Sequence, residues 1–413
     1  MSAPTWLDGG AGSAVLRHRI ERTVLDVLAR WGYRGVETPL LEAVEESLGP
    51  AAGEAGHLGE EERWFGAVRL MDGGGRSWRL RYDATTALLR RASGLPGSGA
   101  GLRLAYATAV VRRDEEGEPV ALGQAGAEYL GAPAPLGDAE AVGAAVDVLR
   151  ALGLGPARVA LGDTALVEEL ERAAGLPGSG EAGVATLLEA LRGGDQVRAA
   201  RLDRAGLAGL GGGLARARER LLAVGDGGGE RDRFLALLEH LAALGLGEAL
   251  EVDLQLVGRW PYYEGPVFEL TVPAQGQPLG YGGRYRLPGG GLGGVGFALD
   301  VDRLAALLSG LAPRPEEASP DVVAFPAGAP PAAVWPRLAA LRRAGYAVAL
   351  APDEVTAFRW AREAAEAGAS PRLLRLEAGG ERWLGRPTAG EAERGGAQGE
   401  AAGEGAGAWS PRH

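Results

Sequence analysis

Cysteine, lysine and asparagine are absent from this 413-residue chain, and isoleucine occurs once, at Ile20. The lack of cysteine excludes a disulfide framework, a thiolate metal site and a cysteine nucleophile. The lack of lysine makes all 43 positive side chains arginine. A strongly GC-biased genome accounts for that, so arginine in place of lysine and alanine- or glycine-rich surfaces carry little functional meaning. No run of about 18 uncharged apolar residues occurs, which argues against a membrane-spanning helix. The opening Met1–Gly10 lacks the basic-then-apolar build of a signal peptide, and a soluble cytoplasmic protein is expected. Excess positive charge is missing too. A net charge of −11 gives no footprint for strong nucleic-acid binding, which needs clustered cations to displace counterions, although a local basic patch is left open. No metal and no cofactor are expected.

The chain is long enough for two or three domains with a sizeable core. Leu16, Ile20, Val24, Leu28 and Trp31 recur on one helical face over 12–31, with Gly32 placed to end that helix. Val36–Leu40 reads as a short extended segment, where Pro39 argues for an edge. Strands are expected at 64–71 and 77–82 around a glycine turn, a helix at 83–93, strands at 104–112 and 120–130, and a long helix at 138–152. The alanine- and leucine-rich stretch 163–250 has the look of a helical insertion. Val252, Leu254 and Leu256 then alternate with polar residues as a half-buried strand. Segments 266–273 and 278–285 suit a hairpin, and 293–311 a final helix preceded by glycines. Arg314–Glu317 reads as a linker. From 321 to 385 the pattern restarts as alternating strands and helices, a small α/β module, and the tail 386–413 is expected to be disordered.

Four patches carry candidate chemistry. Arg81-Tyr82-Asp83-Ala84-Thr85 opens a helix. Val111-Arg112-Arg113-Asp114 precedes Gln124-Ala125-Gly126-Ala127-Glu128. Pro261-Tyr262-Tyr263-Glu264-Gly265 precedes Val267-Phe268-Glu269. Gly282-Gly283-Arg284-Tyr285 precedes Gly296 to Leu304. An amino-acid ligand has an ammonium that favours carboxylates and a side chain that favours donors or acceptors in a dry site. Asp83, Gln124 and Glu128 suit the first need; Tyr262, Tyr263 and Tyr285 suit walls around a ring. Each patch alone is as easily structural, Gln124 and Glu128 being plain solvated residues on a strand in the bland reading. Their common order carries the signal.

In that order the patches resemble the catalytic domain of histidyl-tRNA synthetase, across roughly residues 4–311. The class II dimer-interface motif resembles Gly32 to Glu42, with its proline at Pro39. The second motif resembles Val111–Asp114 followed by Gln124, Gly126 and Glu128. The family's Asp-Ala-Glu is matched by Asp138-Ala139-Glu140, and its two histidine-specific motifs by the Tyr262-Tyr263 and Gly282–Tyr285 patches. The third class II motif ends in an arginine that matches Arg303. The resemblance implies an α+β fold: a class II antiparallel sheet with flanking helices and a helical insertion at about 163–250, making a core of residues 1–312, plus a small C-terminal α/β module at 320–385. It also implies a histidine-like pocket lined by Asp83, Thr85, Arg112, Gln124, Glu128, Tyr262, Tyr263 and Tyr285. Arg112 is open to a second role, holding Glu128 or Asp83 in a buried pair whose loss is destabilising.

The departures from that pattern fall at the ATP end. Adenylate formation requires charge stabilisation on the phosphates, usually by arginines and metal ions. The loop after the second motif is basic in the synthetase, but here Asp114–Glu118 holds four carboxylates, which repel a triphosphate. Within the synthetase's Leu-Val-Arg-Gly-Leu-Asp-Tyr-Tyr, the arginine position is matched by Gly258, with Arg259 displaced by one. A one-residue shift turns a side chain to the other face of a strand, unless a bulge restores it. Asp302 replaces the glutamate of the third motif, a shorter carboxylate for any metal duty.

These losses resemble a paralogous family, the regulatory subunits of ATP phosphoribosyltransferase. That resemblance implies a non-catalytic regulatory chain acting in the first step of histidine biosynthesis. Its partner is then a short-form ATP phosphoribosyltransferase catalytic subunit, which it activates and places under feedback inhibition by histidine, self-associating as a dimer within a hetero-octamer. An active histidine–tRNA ligase is the alternative. Arg337, Arg342 and Arg343 of the C-terminal module read as a solvated helix face in preference to a remnant of tRNA binding.

Overall fold

The computed structural model describes residues 11–44, 66–92, 101–114, 116–175, 181–224, 228–258, 262–273, 276–286, 293–311, 320–366 and 370–385. The expected linker Arg314–Glu317, the expected disordered tail 386–413, and Glu115 and Arg259 lie outside these residues. The chain divides into two compact units, the larger spanning Ser13–Leu311 and the smaller carrying the described residues from 320 onward. Among the described residues, no helix is long and apolar enough to cross a membrane.

The larger unit opens with helix α1 (Ala11–Arg30), whose Ile20, Val24 and Leu28 are fully buried at four-residue spacing, one stripe of a 3.6-residue period. Gly32 at φ 84° takes the left-handed turn that releases the chain. Strand β1 (Arg34–Gly35) follows, then β2 (Leu41–Ala43). The Val36–Leu40 segment between them is not a strand, which corrects the sequence reading. Pro39 brings no N–H to a ladder, and the buried Arg81 guanidinium ties the segment down by donating to Thr38 Oγ1 at 2.9 Å and Ala109 O at 3.0 Å. With β3 (Arg69–Met71) and β4 (Ser77–Leu80), β2 forms a small antiparallel sheet. Helix α2 (Ala84–Ala92) is capped by Asp83, whose Oδ2 accepts from Thr86 N at 3.1 Å.

The long hairpin β5 (Leu102–Arg113) and β6 (Pro119–Leu130) leads into α3 (Leu136–Ala151) and β7 (Arg158–Asp163). The inserted segment is built from α4 (Thr164–Ala174), α5 (Glu181–Arg192), α6 (Gln196–Leu202), α7 (Leu207–Leu210), the short β8 (Gly212–Gly213), α8 (Leu214–Ala223) and α9 (Gly229–Ala243). It returns to the sheet through β9 (Leu250–Val252), followed by β10 (Tyr263–Thr271), β11 (Gly280–Arg286), β12 (Gly293–Asp300) and α10 (Val301–Leu311). The nine strands run β1-β5-β6-β12-β11-β10-β7-β9-β8, antiparallel from β5 through β7 and parallel at β1–β5 and β7–β9.

Two further expectations are corrected. Residues 293–300 are a central strand, not the approach to a helix; their glycines, propensity-poor for a strand, are needed because the strand is pressed between two others beneath a buried carboxylate. The alternation Val252–Leu256 stops being a strand at Val252. Asp253 then forms a turn, its Oδ1 accepting from Gln255 N at 2.9 Å and its carbonyl from Leu256 N at 3.1 Å.

Period-two alternation sorts the sheet. Ala125, Ala127, Tyr129, Val295, Phe297 and Leu299 face a core shared with α1, α3 and the inserted helices. Gln124, Gly126, Glu128, Gly294, Gly296 and Ala298 therefore face the other way.

The smaller unit is a four-stranded sheet ordered β14-β13-β15-β16, from β13 (Val322–Ala327), β14 (Val348–Leu350), β15 (Arg372–Glu377) and β16 (Gly380–Gly385). Helix α11 (Pro331–Arg343) packs Val334, Leu338 and Leu341 on one face, with Val322 and Ala324; α12 (Glu354–Glu366) packs Ala357 and Ala361 on the other, with Val323 and Phe325. Arg337 pairs with Glu381 at 2.7 Å, and Arg342 donates to Val348 O at 3.0 Å.

Candidate functional site

The face of the large sheet turned away from the shared core has a depression, because small residues occupy its middle. Gly126, Ala298, Tyr281 and Glu269 register as one row across β6, β12, β11 and β10. Glu128, Gly296, Gly283 and Val267 register as the next. Gly126, Ala298, Gly296 and Gly283 leave low ground between Glu128 on one side and Tyr281, Glu269 and Val267 on the other, and a cavity of about 140 Å³ opens above the glycines. Gly296 is obligatory there: a Cβ on it would lie 1.9 Å from Glu128 Oε2.

Every one of the sequence-derived candidates lines this cavity: Asp83, Thr85, Arg112, Gln124, Glu128, Tyr262, Tyr263 and Tyr285. Glu128 is its centre, buried to 1% exposure. Thr85 Oγ1 donates to Glu128 Oε1 at 2.5 Å and Tyr285 OH donates to Oε2 at 2.7 Å. Burial pushes the Glu128 carboxyl up to about 8, and the charge of Asp83 adds to the rise, while the two hydroxyl donors pull against it. Tyr285 and Tyr106, both buried, have phenols held well above their ordinary value by burial and by Glu128. Gln124 Oε1 accepts from Ala84 N at 3.2 Å, which ties β6 to the start of α2. Tyr262 packs against Tyr263 at 5.0 Å between centroids and meets Tyr285 edge-on at 6.4 Å.

Of the two partners expected for Arg112, the structure shows the ion pair with Asp83. The Arg112 Nη2 lies 3.9 Å from Asp83 Oδ1, and its Nε donates to Tyr82 O at 2.8 Å. Among the described residues that line the cavity, Arg112 carries the one positive charge, against the carboxyl groups of Asp83, Glu128 and Glu269. Such a site suits a small ligand with an ammonium or another cationic donor, held against aromatic walls.

The cations matched to the synthetase motifs beyond Arg112 are engaged within the fold. Arg113 Nη1 donates to Gly117 O at 2.7 Å, Asp114 N donates to Glu118 O at 3.0 Å, and Asp114 Oδ1 accepts from Glu118 N at 2.8 Å. The acidic β5–β6 turn thus closes on itself, with Asp114, Glu116 and Glu118 exposed. Arg303 is bonded to Asp300 at 3.2 Å and to Pro278 O at 3.0 Å. Asp302 accepts from Gly123 N at 2.7 Å and pairs with Arg17 at 2.9 Å, so both its oxygens are engaged. Gly258 lines the cavity, and a Cβ on it would lie 2.1 Å from the Tyr263 Cβ; an arginine there requires the backbone to move.

The other matched motifs hold the scaffold from behind. Arg284, next to Tyr285 and on the opposite face, pairs with buried Asp138 at 2.9 Å. Glu140 takes a two-pronged bond from Arg103 at 2.6 and 2.9 Å. The sequence reasoning did not assign Glu269 or Tyr281 to the cavity. Val267-Phe268-Glu269 stood among the motif patches, and period-two alternation from Val267 and Tyr285 reaches both positions. It also missed Leu256 and Val257, which enter the wall only because the strand breaks at Asp253.

A family model described as Histidyl-tRNA synthetase matches residues 8–304. An ATP phosphoribosyltransferase regulatory subunit from Symbiobacterium thermophilum is 35% identical over 385 residues, covering 85% of this chain and 92% of that one. The protein of the same name from Moorella thermoacetica is 33% identical over 401 residues, covering 90% and 95%. Among solved structures, an ATP phosphoribosyltransferase regulatory subunit/histidyl-tRNA synthetase from Bacillus halodurans superposes with TM-score 0.65 at 26% identity, covering 85% of this chain and 90% of that one. A histidyl-tRNA synthetase from Nostoc sp. superposes with TM-score 0.71 at 15% identity, covering 95% and 98%, a likeness of fold alone.

Proposed function

The chain belongs to the ATP phosphoribosyltransferase regulatory subunit family, on a histidyl-tRNA synthetase-like class II fold, and from that premise we propose that it is a non-catalytic regulatory subunit that binds histidine in the Glu128 cavity. Its partner is a short-form ATP phosphoribosyltransferase catalytic subunit, which it activates and makes sensitive to histidine within a cytoplasmic hetero-octamer. The observation that carries the reading is the contrast between a complete ammonium-and-ring pocket and a nucleotide end whose acidic turn closes on itself. Phosphate charge brought to that turn meets carboxylates.

Self-association as a dimer is supported by Leu40, Leu41, Leu70 and Met71. These are exposed apolar side chains at and beside the small β2-β4-β3 sheet, which adjoins the segment resembling the class II interface motif. No nucleic-acid partner is part of the reading.

Two measurements on purified full-length protein test it. Mixed with a short-form catalytic subunit, it yields a stable complex whose phosphoribosyl transfer is inhibited by histidine; absence of any complex sinks the reading. Histidine-dependent exchange of pyrophosphate into ATP stays at background; clear exchange instead supports a histidine–tRNA ligase.

A further inference from the structure

One wall of the cavity, Leu256-Val257-Gly258, rests at one end on the sheet, where the Leu256 carbonyl lies against Gly162 of β7, and at its Gly258 end is hydrogen-bonded from the inserted helices. Strand pairing ends at Val252, and the Asp253 turn lifts the chain off β9. Gly258 N then donates to Thr164 Oγ1 at 3.2 Å, at the first residue of α4. Gly258 O accepts from Arg192 Nε at 3.1 Å, at the last residue of α5. Between these two bonds the Gly258 backbone lies flat against Tyr263, so close that a Cβ would sit 2.1 Å from the Tyr263 Cβ. Thr164 is buried, and the Arg192 guanidinium is half-buried beside the charges of Glu168 and Glu189.

We propose that Arg192 is a positioning residue for the pocket: its bond to the Gly258 carbonyl presses the 256–258 wall against Tyr263 and makes the order of α5 and the occupancy of the cavity mutually dependent. A charged donor on a part-buried carbonyl is among the stronger single hydrogen bonds. A ligand that packs on Val257 and Tyr263 favours the state in which that bond is made, and by reciprocity the bond favours the ligand. The inserted helices thereby sense the cavity without contributing a side chain to its lining among the described residues.

The inference rests on the histidine reading for its ligand arm alone. Hydrogen exchange and histidine titration are to be run on the full chain as wild type, Arg192→Ala and Arg192→Lys. The Ala variant exchanges faster at 254–258 and 262–266 with or without ligand, while the 320–385 unit is unchanged. Histidine affinity falls by about fivefold, the scale of one lost hydrogen bond. The Lys variant recovers most of both, because an ammonium can donate to the same carbonyl. Equal exchange at the wall overturns the proposal, as does uniform loosening of the whole 13–311 unit, which marks an ordinary packing role. If the wild type binds no histidine, the ligand reading fails while the exchange contrast still decides the tether. Should Arg192→Ala not accumulate, Arg192→Gln, a shorter neutral donor, and Arg192→Lys carry the same comparison.

Discussion

Glu128 stands on β6 and Arg303 on the first turn of α10, the helix that follows the neighbouring strand β12, yet the fold treats their charges in opposite ways. Around Glu128 the chain supplies two hydroxyls and a shell of tyrosines, and burial leaves the carboxyl at a raised value. Around Arg303 and Arg113 the chain supplies its own acceptors, Asp300 with the Pro278 carbonyl and the Gly117 carbonyl, and both guanidinium groups are already bonded. On the proposed reading, the same architecture keeps an amino-acid end that takes a ligand cation and a nucleotide end whose guanidinium groups are bonded internally. A fold shared with a ligase does not imply ligase chemistry; which charges remain unpaired decides it.

The comparison breaks most sharply at Glu128. Glu128→Ala is expected to weaken histidine binding by about 30–100-fold, the scale of a charge-assisted bond in a dry site, with the fold retained, as read by calorimetry and circular dichroism. Binding left intact places the ligand elsewhere. Next in size is Gly258→Ala, which forces a methyl into the Tyr263 side chain and should lower stability by about 1–3 kcal/mol in chemical denaturation. An unshifted midpoint means the wall is not seated as described.

pH sharpens the contrast. The folded Glu128 carboxyl titrates near 8 against an ordinary 4.5, so between those values the folded chain holds a proton that the unfolded chain has lost. The contribution of Glu128 to stability therefore falls as pH rises through that window. A cationic ligand favours the ionised form, so affinity rises towards pH 8, with a proton released on binding. Glu128→Gln flattens both trends; parallel slopes for variant and wild type remove Glu128 as their source. The smallest effects belong to the nucleotide end. Glu118→Ala is expected to change stability by less than about 0.5 kcal/mol and leave histidine affinity unaltered, and a large loss in titration would bring the acidic turn into the ligand site.

Much of the pocket was legible because strands write one face in every second residue. Gln124, Gly126 and Glu128 share a face in any register, and so do Tyr281, Gly283 and Tyr285. The period of α1 was readable for the same kind of reason. The Gly293–Asp300 strand was not: a glycine-rich run has no periodicity to read, and its strand state comes from the neighbours on either side, β6 and β11. Local alternation also carried Val252–Leu256 too far, since a single Asp253 side chain competes for the backbone donors that a ladder would have used.

By itself the sequence determined eight of the residues that line the cavity, its excess of carboxylates and the acidic turn at Asp114–Glu118, because these depend on residue identity, motif order and period-two geometry. Only the tertiary structure decided the pairings. Arg112 went to Asp83, Arg284 to Asp138 and Arg192 to Gly258 across separations that no local pattern encodes. In each case two distant segments had to be packed first, and burial then fixed which donor met which acceptor.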